Sequence, residues 1–170
     1  MKKLELKHIA PYLPYGLQVK CYNNTWDIDG YRDGSIKLLF LVDQHTLTSA
    51  DLSDVKPLLR PLSTIDSKEV HEMFTIAFGE FDFGKIKILD GVDGLCATAT
   101  IQQPIMKDGQ KILSKTIMNI TVFEENIALK FIRDGENLST ITPIRLLNFL
   151  FSKHFDVFGL IGHNLAIEKS

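Results

Sequence analysis

The pair Asp-Gly occurs six times in this 170-residue chain, at 29–30, 33–34, 90–91, 93–94, 108–109 and 134–135. Both residues tolerate the positive φ that tight hairpin turns require. The repetition therefore divides the chain into short segments that must double back. Those segments alternate apolar and polar residues, the signature of half-buried strands. Ile36, Leu38, Phe40 and Val42 fall on one side of a strand expected over 36–42. Ile86 and Ile88 alternate with Lys85 and Lys87. Thr116, Met118, Ile120 and Val122 alternate with Ile117, Asn119, Thr121 and Phe123, and Ile127, Leu129 and Phe131 with Ala128 and Lys130. Residues 95–101 are small and threonine-rich and read as a further strand. Short turns between successive strands favour antiparallel pairing, because parallel strands need long crossovers.

Two helices interrupt this pattern. Over 67–78, Val70, Met73, Phe74, Ala77 and Phe78 form one apolar stripe. Asp66 with Glu69 forms a capping box, and Gly79 is placed to end the helix. Over 143–155, Thr142 suits the N-cap and Pro143 the first turn. Apolar residues at 144, 146, 147, 150, 151 and 155 cover much of that helix, which predicts deep burial. His154, near its end, is expected to favour the helix dipole as a cation. Pro57 and Pro61 argue against a helix over 55–63, which is expected to be an extended connector or two short turns. The expected fold is α+β: a mainly antiparallel sheet with two principal helices packed on it. One domain spans 1–170, with a minor boundary near 55–66; the alternative is a β-rich N-terminal lobe beside a larger α+β lobe.

Composition narrows the function classes. The net charge is −2, with 10 cationic and 12 acidic side chains in residues 1–85 and 9 of each in 86–170. Neither half carries the dense cationic run that phosphate neutralisation needs, although folding could still gather a small cationic surface. Cys21 and Cys96 are expected to be free buried thiols in a reducing compartment. The N-terminus starts with lysines but lacks an apolar signal core, and no apolar run reaches bilayer length. The expected location is the cytoplasm, without membrane association.

Each catalytic pattern fails on spacing. A calcium loop counted from Asp27 puts Tyr31, Arg32 and Leu38 where positions 5, 6 and 12 need a ligand, a glycine and a glutamate. The five histidines, at 8, 45, 71, 154 and 163, include no i, i+4 pair, and there is no Cys-x-x-Cys. No serine lies in a Gly-x-Ser-x-Gly elbow, and no Gly-Lys-Ser/Thr follows Gly91 and Gly94. The contexts of Cys21 and Cys96 read as strand interiors rather than nucleophile sites. Tyr12, Tyr15, Tyr22, Trp26 and Tyr31 crowd the N-terminal stretch and are expected in core and corner packing, then in a protein contact. No catalytic, cofactor-binding or metal-binding residue is assigned, and the residues point away from enzymatic chemistry.

Three phrases fit no helix or strand period. They are His8-Ile9-Ala10-Pro11-Tyr12-Leu13-Pro14-Tyr15-Gly16-Leu17, Lys56-Pro57-Leu58-Leu59-Arg60-Pro61-Leu62-Ser63, and Phe151-Ser152-Lys153-His154-Phe155-Asp156-Val157-Phe158-Gly159-Leu160-Ile161 followed by Asn164-Leu165-Ala166-Ile167-Glu168. Such proline and aromatic spacings are normally fixed by tertiary contacts. Together they resemble a family of small proteins of Bacteroides-type bacteria, often encoded in prophage or mobile-element regions, to which no activity is attached. The resemblance covers both ends and 55–66 but not the middle, 70–140. It implies a non-enzymatic accessory or protein-interaction protein of phage or mobile-element origin. A variable middle between similar ends would meet the partner, expected to be a protein rather than nucleic acid. A small enzyme with a dispersed site is the alternative, then a nucleic-acid-associated factor. The oligomeric state is left open.

Overall fold

The computed structural model describes residues 3–32, 35–40, 47–80, 82–84, 86–89, 94–123, 126–140 and 144–169. The fold is α+β, with two sheets that are antiparallel but for one terminal pairing. The chain divides into two compact units: residues 1–61 with 150–170, and residues 62–149. The first division falls inside the 55–66 stretch.

The first unit starts with a single turn of helix, α1 (Leu6–Ile9), and a 3-10 turn over Ala10–Tyr15. Then come β1 (Gln18–Cys21), β2 (Asn24–Arg32), β3 (Ser35–Phe40), β4 (Leu47–Ala50) and β5 (Lys56–Leu59). The two-residue β11 (Ile167–Glu168) completes a six-stranded sheet in the order β11-β5-β1-β2-β3-β4. Strand 36–42 is realised as β3, with Ile36 and Leu38 buried; residues 41 and 42 lie outside the described residues. The expected connector over 55–63 is instead an interior strand for four of its residues. Pro57 pairs with Val19 of β1, and the ladder to β11 begins only at Leu58. A proline lacks an amide to donate but is already extended, so it fits where the neighbouring ladder has not begun.

The three irregular phrases interlock in this unit. The Tyr12 hydroxyl donates to the Phe155 carbonyl at 2.7 Å and accepts from the Val157 amide at 3.3 Å. The Arg60 amide donates to the His154 carbonyl, and the Asp156 amide to the Arg60 carbonyl, each at 2.8 Å. The Arg60 guanidinium lies 4.3 Å from the centre of the Phe155 ring. Tyr12 and Phe155 are fully buried, and Tyr12 meets the Phe151 ring edge-on at 4.9 Å. Buried hydroxyls and amides need partners, and the third phrase supplies them to both of the others.

The second unit contains α2 (Ser67–Phe78), β6 (Ile86–Leu89), β7 (Leu95–Lys107), β8 (Gln110–Phe123), β9 (Asn126–Arg133) and β10 (Glu136–Thr140). The strands form one antiparallel sheet in the order β10-β9-β8-β7-β6. Alternation of buried and more exposed residues is strict over 95–100 of β7, 118–122 of β8 and 127–130 of β9. Leu95, Ala97, Ala99, Met118, Ile120, Val122, Ile127 and Leu129 are buried on one face. That is the face of Phe131, which meets Phe78 of α2 at 6.0 Å. The helix has the expected bounds. Asp66 accepts from the Glu69 amide at 2.7 Å, Glu69 accepts from the Asp66 amide at 3.1 Å, and Gly79 closes the end at φ 89°. Val70, Met73 and Phe74 are buried, while Ala77 and Phe78 are half-buried.

Asp-Gly serves two roles. At 108–109 and 134–135 both residues have positive φ, as two-residue hairpin turns demand. Asp29-Gly30 instead lies inside β2, where the register against β3 shifts by one residue. The β1–β2 hairpin makes the same turn with Tyr22-Asn23, at φ 49° and 67°. Residues 33–34 and 90–93 lie outside the described residues. Gly94 is required for close approach, since a Cβ there would run into the Val122 carbonyl oxygen.

The C-terminal helix is shorter than expected. It is α3 (Ile144–Ser152), and the second division of the chain falls inside it. Thr142 and Pro143 lie outside the described residues. Termination comes at His154, at φ 57°, where the His154 amide donates to Phe151 and the Phe155 amide to Leu150. That pair of bonds is the usual glycine-type helix stop, here built on a histidine. Phe155 is therefore buried beyond the helix rather than along it. Asn164, also at φ 57°, repeats the pattern with bonds to Ile161 and from Leu165 to Leu160.

The capping box gives a direct check on α2. Replacing Asp66 with Ala removes a bond to the Glu69 amide and is expected to lower stability by about 1 kcal/mol, measured by urea unfolding. An unchanged midpoint would show that the box does not hold the helix.

Candidate functional site

Three places gather chemistry-bearing side chains. The first is the interlocked core of the first unit. The Asp156 carboxylate accepts from the Leu160 and Ile161 amides, both at 2.8 Å. Burial pushes its pKa up, against those amides, which pull it down. Burial likewise pushes the Tyr12 hydroxyl up. His154 Nε2 lies 2.9 Å from the Tyr15 carbonyl. Burial lowers its pKa, the Tyr15 carbonyl opposes that, and Lys169 reinforces it. The imidazole at the end of α3 is therefore held towards neutrality, not as the cation that the helix dipole would favour. All three groups are engaged with the backbone and serve to lock the chain.

A second place is a solvent-open cavity of about 390 Å³ on the first unit. Asp29, Tyr31, Arg32, Lys37, Thr48 and Ser49 line it, and Lys37 Nζ donates to Ser49 Oγ at 2.9 Å. Its charges are of both signs, and its shape follows from the irregular register at Asp29-Gly30.

The third is the distal part of the β7–β8 hairpin. β9 ends its ladder at Arg133, opposite Thr116, and β6 reaches only to Ala99. Beyond these points β7 and β8 continue as a two-stranded arm, paired from Gln102–Lys115 to Lys107–Gln110. Ile105 and Ile112 pair across one face, 37 and 38% exposed; Met106 and Leu113 stand on the other, 70 and 65% exposed. A two-stranded ribbon with apolar side chains on both faces has no core of its own. Asp134 secures its base. That carboxylate accepts from Ser114 Oγ and the Lys115 amide, both at 2.8 Å, and its own amide donates to the Lys115 carbonyl at 2.9 Å.

The residues weighed from sequence disperse. Cys21 is buried in β1 and Cys96 half-buried in β7; both are free, and burial raises the Cys21 pKa. His71 is exposed on α2 with its ring 5.4 Å from Phe83, while His8 is buried with its Nδ1 accepting from the Glu5 amide at 3.0 Å. His45 lies outside the described residues. Tyr12 and Trp26 are core residues, and Tyr15, Tyr22 and Tyr31 are exposed. Among the described residues no group of three His, Cys, Asp or Glu side chains could hold a metal, and no helix is long and apolar enough to cross a membrane. The arm was missed in sequence because Gln102-Gln103-Pro104 breaks the alternation. The turn at Asp108-Gly109 was the signal: counting back from it pairs every residue to Leu95.

Compared with family models, curated proteins and solved structures, the chain matches none.

Two outcomes follow from this geometry. Because the folded pKa of His154 lies below its ordinary 6.5, protonation favours the unfolded chain. The stability tied to the neutral ring is present above about pH 6.5 and is lost as pH falls through the lowered value. Urea unfolding from pH 7.5 to 5 should show a decline that His154→Gly flattens; parallel profiles would contradict it. Replacing Asp134 with Ala should speed amide hydrogen exchange over 102–115 relative to the rest of the sheet, and uniform exchange would show that the carboxylate does not anchor the arm.

Proposed function

We propose that the protein is a non-enzymatic accessory or interaction protein, of the phage or mobile-element origin that its end phrases resemble, and that the β7–β8 arm meets its protein partner. The observation that carries this reading is the arm itself. Apolar side chains are exposed on both faces of a ribbon projecting beyond its sheet, and exposed apolar groups of this kind mark contact surfaces. The arm belongs to the middle region, between ends that are occupied in tying down the first unit. The buried Tyr12 and Asp156 and the half-buried His154 are engaged by backbone atoms, which favours a structural over a catalytic role for each. Cytoplasmic action suits the two free thiols.

The test compares the full chain with Ile105→Thr/Ile112→Thr, which keeps β-branched residues while removing apolar surface. Affinity pull-down from the host during prophage induction should recover a partner with the wild-type chain and lose most of it with the variant. Circular dichroism should be the same for both. Equal recovery by both chains would sink the assignment to the arm.

A further inference from the structure

The second unit is acidic as a whole, yet its sheet is not. Residues 62–149 contain 12 Asp and Glu against 9 Lys and Arg. None of the twelve lies in β6, β7, β8 or β9, while six of the nine cations do: Lys87, Lys107, Lys111, Lys115, Lys130 and Arg133. Strand register then sorts them further. Lys87 faces Thr98, Thr98 faces Asn119, and Asn119 faces Lys130, so one cross-strand row has a lysine at each end. Lys115 and Lys111 follow on the same side of β8, four and eight residues from Asn119. This is the face opposite the one buried with α2. All four lysines are exposed, and no described residue of these strands on this face is buried. Between the lysines stand Thr98, Thr100, Asn119 and Gln102, with Ile117 and Ile132 half-buried beside them.

From this charge sorting we infer that the open face of the β6–β9 sheet binds single-stranded nucleic acid. Three interstrand spacings separate Lys87 from Lys130 by about 14 Å, and four residues along β8 give about 14 Å from the row to Lys115 and again to Lys111. The cations thus mark a track about 27 Å long, none of whose strand residues is acidic; the Asp134 carboxylate lies at its edge, held by Ser114 Oγ and the Lys115 amide. A broad sheet face cannot enter a duplex groove, but it can support a strand whose bases are free. Phosphates would meet the lysines. Bases would lie on Ile117, Ile132, Leu113 and Met106, and their edges would meet the hydroxyl and amide groups between. Phe123 is exposed at the other end of the face, and the lysines run from the Lys87–Lys130 row towards the arm. This goes beyond the protein-partner reading and shares only Met106 and Leu113 with it: Ile105→Thr/Ile112→Thr alters the other face of the arm and leaves all four lysines in place.

The test is fluorescence anisotropy of a labelled oligothymidylate of about 12 nucleotides with the full chain. Four lysine–phosphate contacts predict that log K falls with log salt at a slope of about −3. Lys87→Gln/Lys130→Gln should reduce that slope by about 1.4, and so should Lys111→Gln/Lys115→Gln. Lys68→Gln/Lys153→Gln, the same charge change on other exposed lysines, should leave it unaltered. An abasic strand of equal length, a duplex and polyglutamate should each bind at least about tenfold more weakly than the oligothymidylate. Absence of binding at low salt, insensitivity to both lysine pairs, or equal binding of any of those three competitors would each overturn the inference.

Discussion

Side chains along an extended strand point alternately to opposite faces, and in the second unit that period of two decides what can be buried and what must stay outside. Leu95, Ala97 and Ala99 on β7, with Met118, Ile120 and Val122 on β8, give one face enough apolar surface to be covered. Slipping the register by one residue would bury Thr98, Asn119 and Lys130 in their place. The cost of enclosing an unpaired ammonium and an unpaired amide makes that register inaccessible. The same constraint fixes the open face: whatever the partner, these strands present lysines, threonines and amides there. Length then adds a second feature. β7 and β8 outrun both neighbours, so the residues at their shared hairpin end have a cross-strand partner but no second neighbouring strand.

The first unit solves a different problem. Its strands are short, β1, β4 and β5 having four residues each, and two prolines lie in or beside β5. Regular ladder bonds cannot satisfy every buried polar group in such a sheet, so specific side chains take over. Tyr12 is the clearest case, since one hydroxyl both donates to Phe155 and accepts from Val157 across more than 140 residues of sequence. Left-handed residues at His154 and Asn164 turn the chain twice so that Phe155, Asp156 and β11 arrive where β5 needs them. The irregular spacing of prolines and aromatics is the trace of this arrangement.

How much of this was legible in the sequence follows from how local each signal is. The α2 helix was readable in full, because Asp66, Glu69 and Gly79 act within a few residues of the positions they cap. The cores of β3, β8 and β9 were readable from alternation alone. β5 was not, because two prolines argue against a ladder and only the start of β11 at Leu58 shows why one is tolerated. The end of the last helix was misplaced because a non-glycine residue occupies the left-handed stop; apolar spacing carries no information about φ at His154. Neither the arm nor the lysine face could be seen in counts of charge over half-chains. Both depend on pairing, which brings Lys87 and Lys130 into one row although 43 positions separate them.

The lysine face also has an energetic logic that does not involve a ligand. Like charges about 14 Å apart lie beyond the ~8 Å screening length at physiological salt, so the four ammonium groups repel one another weakly and cost the fold little. Lysine stems can lie along the half-buried Ile117 and Ile132 while their heads remain hydrated. A carboxylate directly opposite any of them on the sheet would add only a fraction of a kcal/mol, as exposed pairs do. Stability alone therefore gives weak reason to exclude acids from 39 strand residues while placing twelve of them elsewhere in the same unit. A predominantly positive field on an open face does little for an isolated molecule and acts strongly on a flexible polyanion, whose many charges sum the small contributions that single pairs cannot.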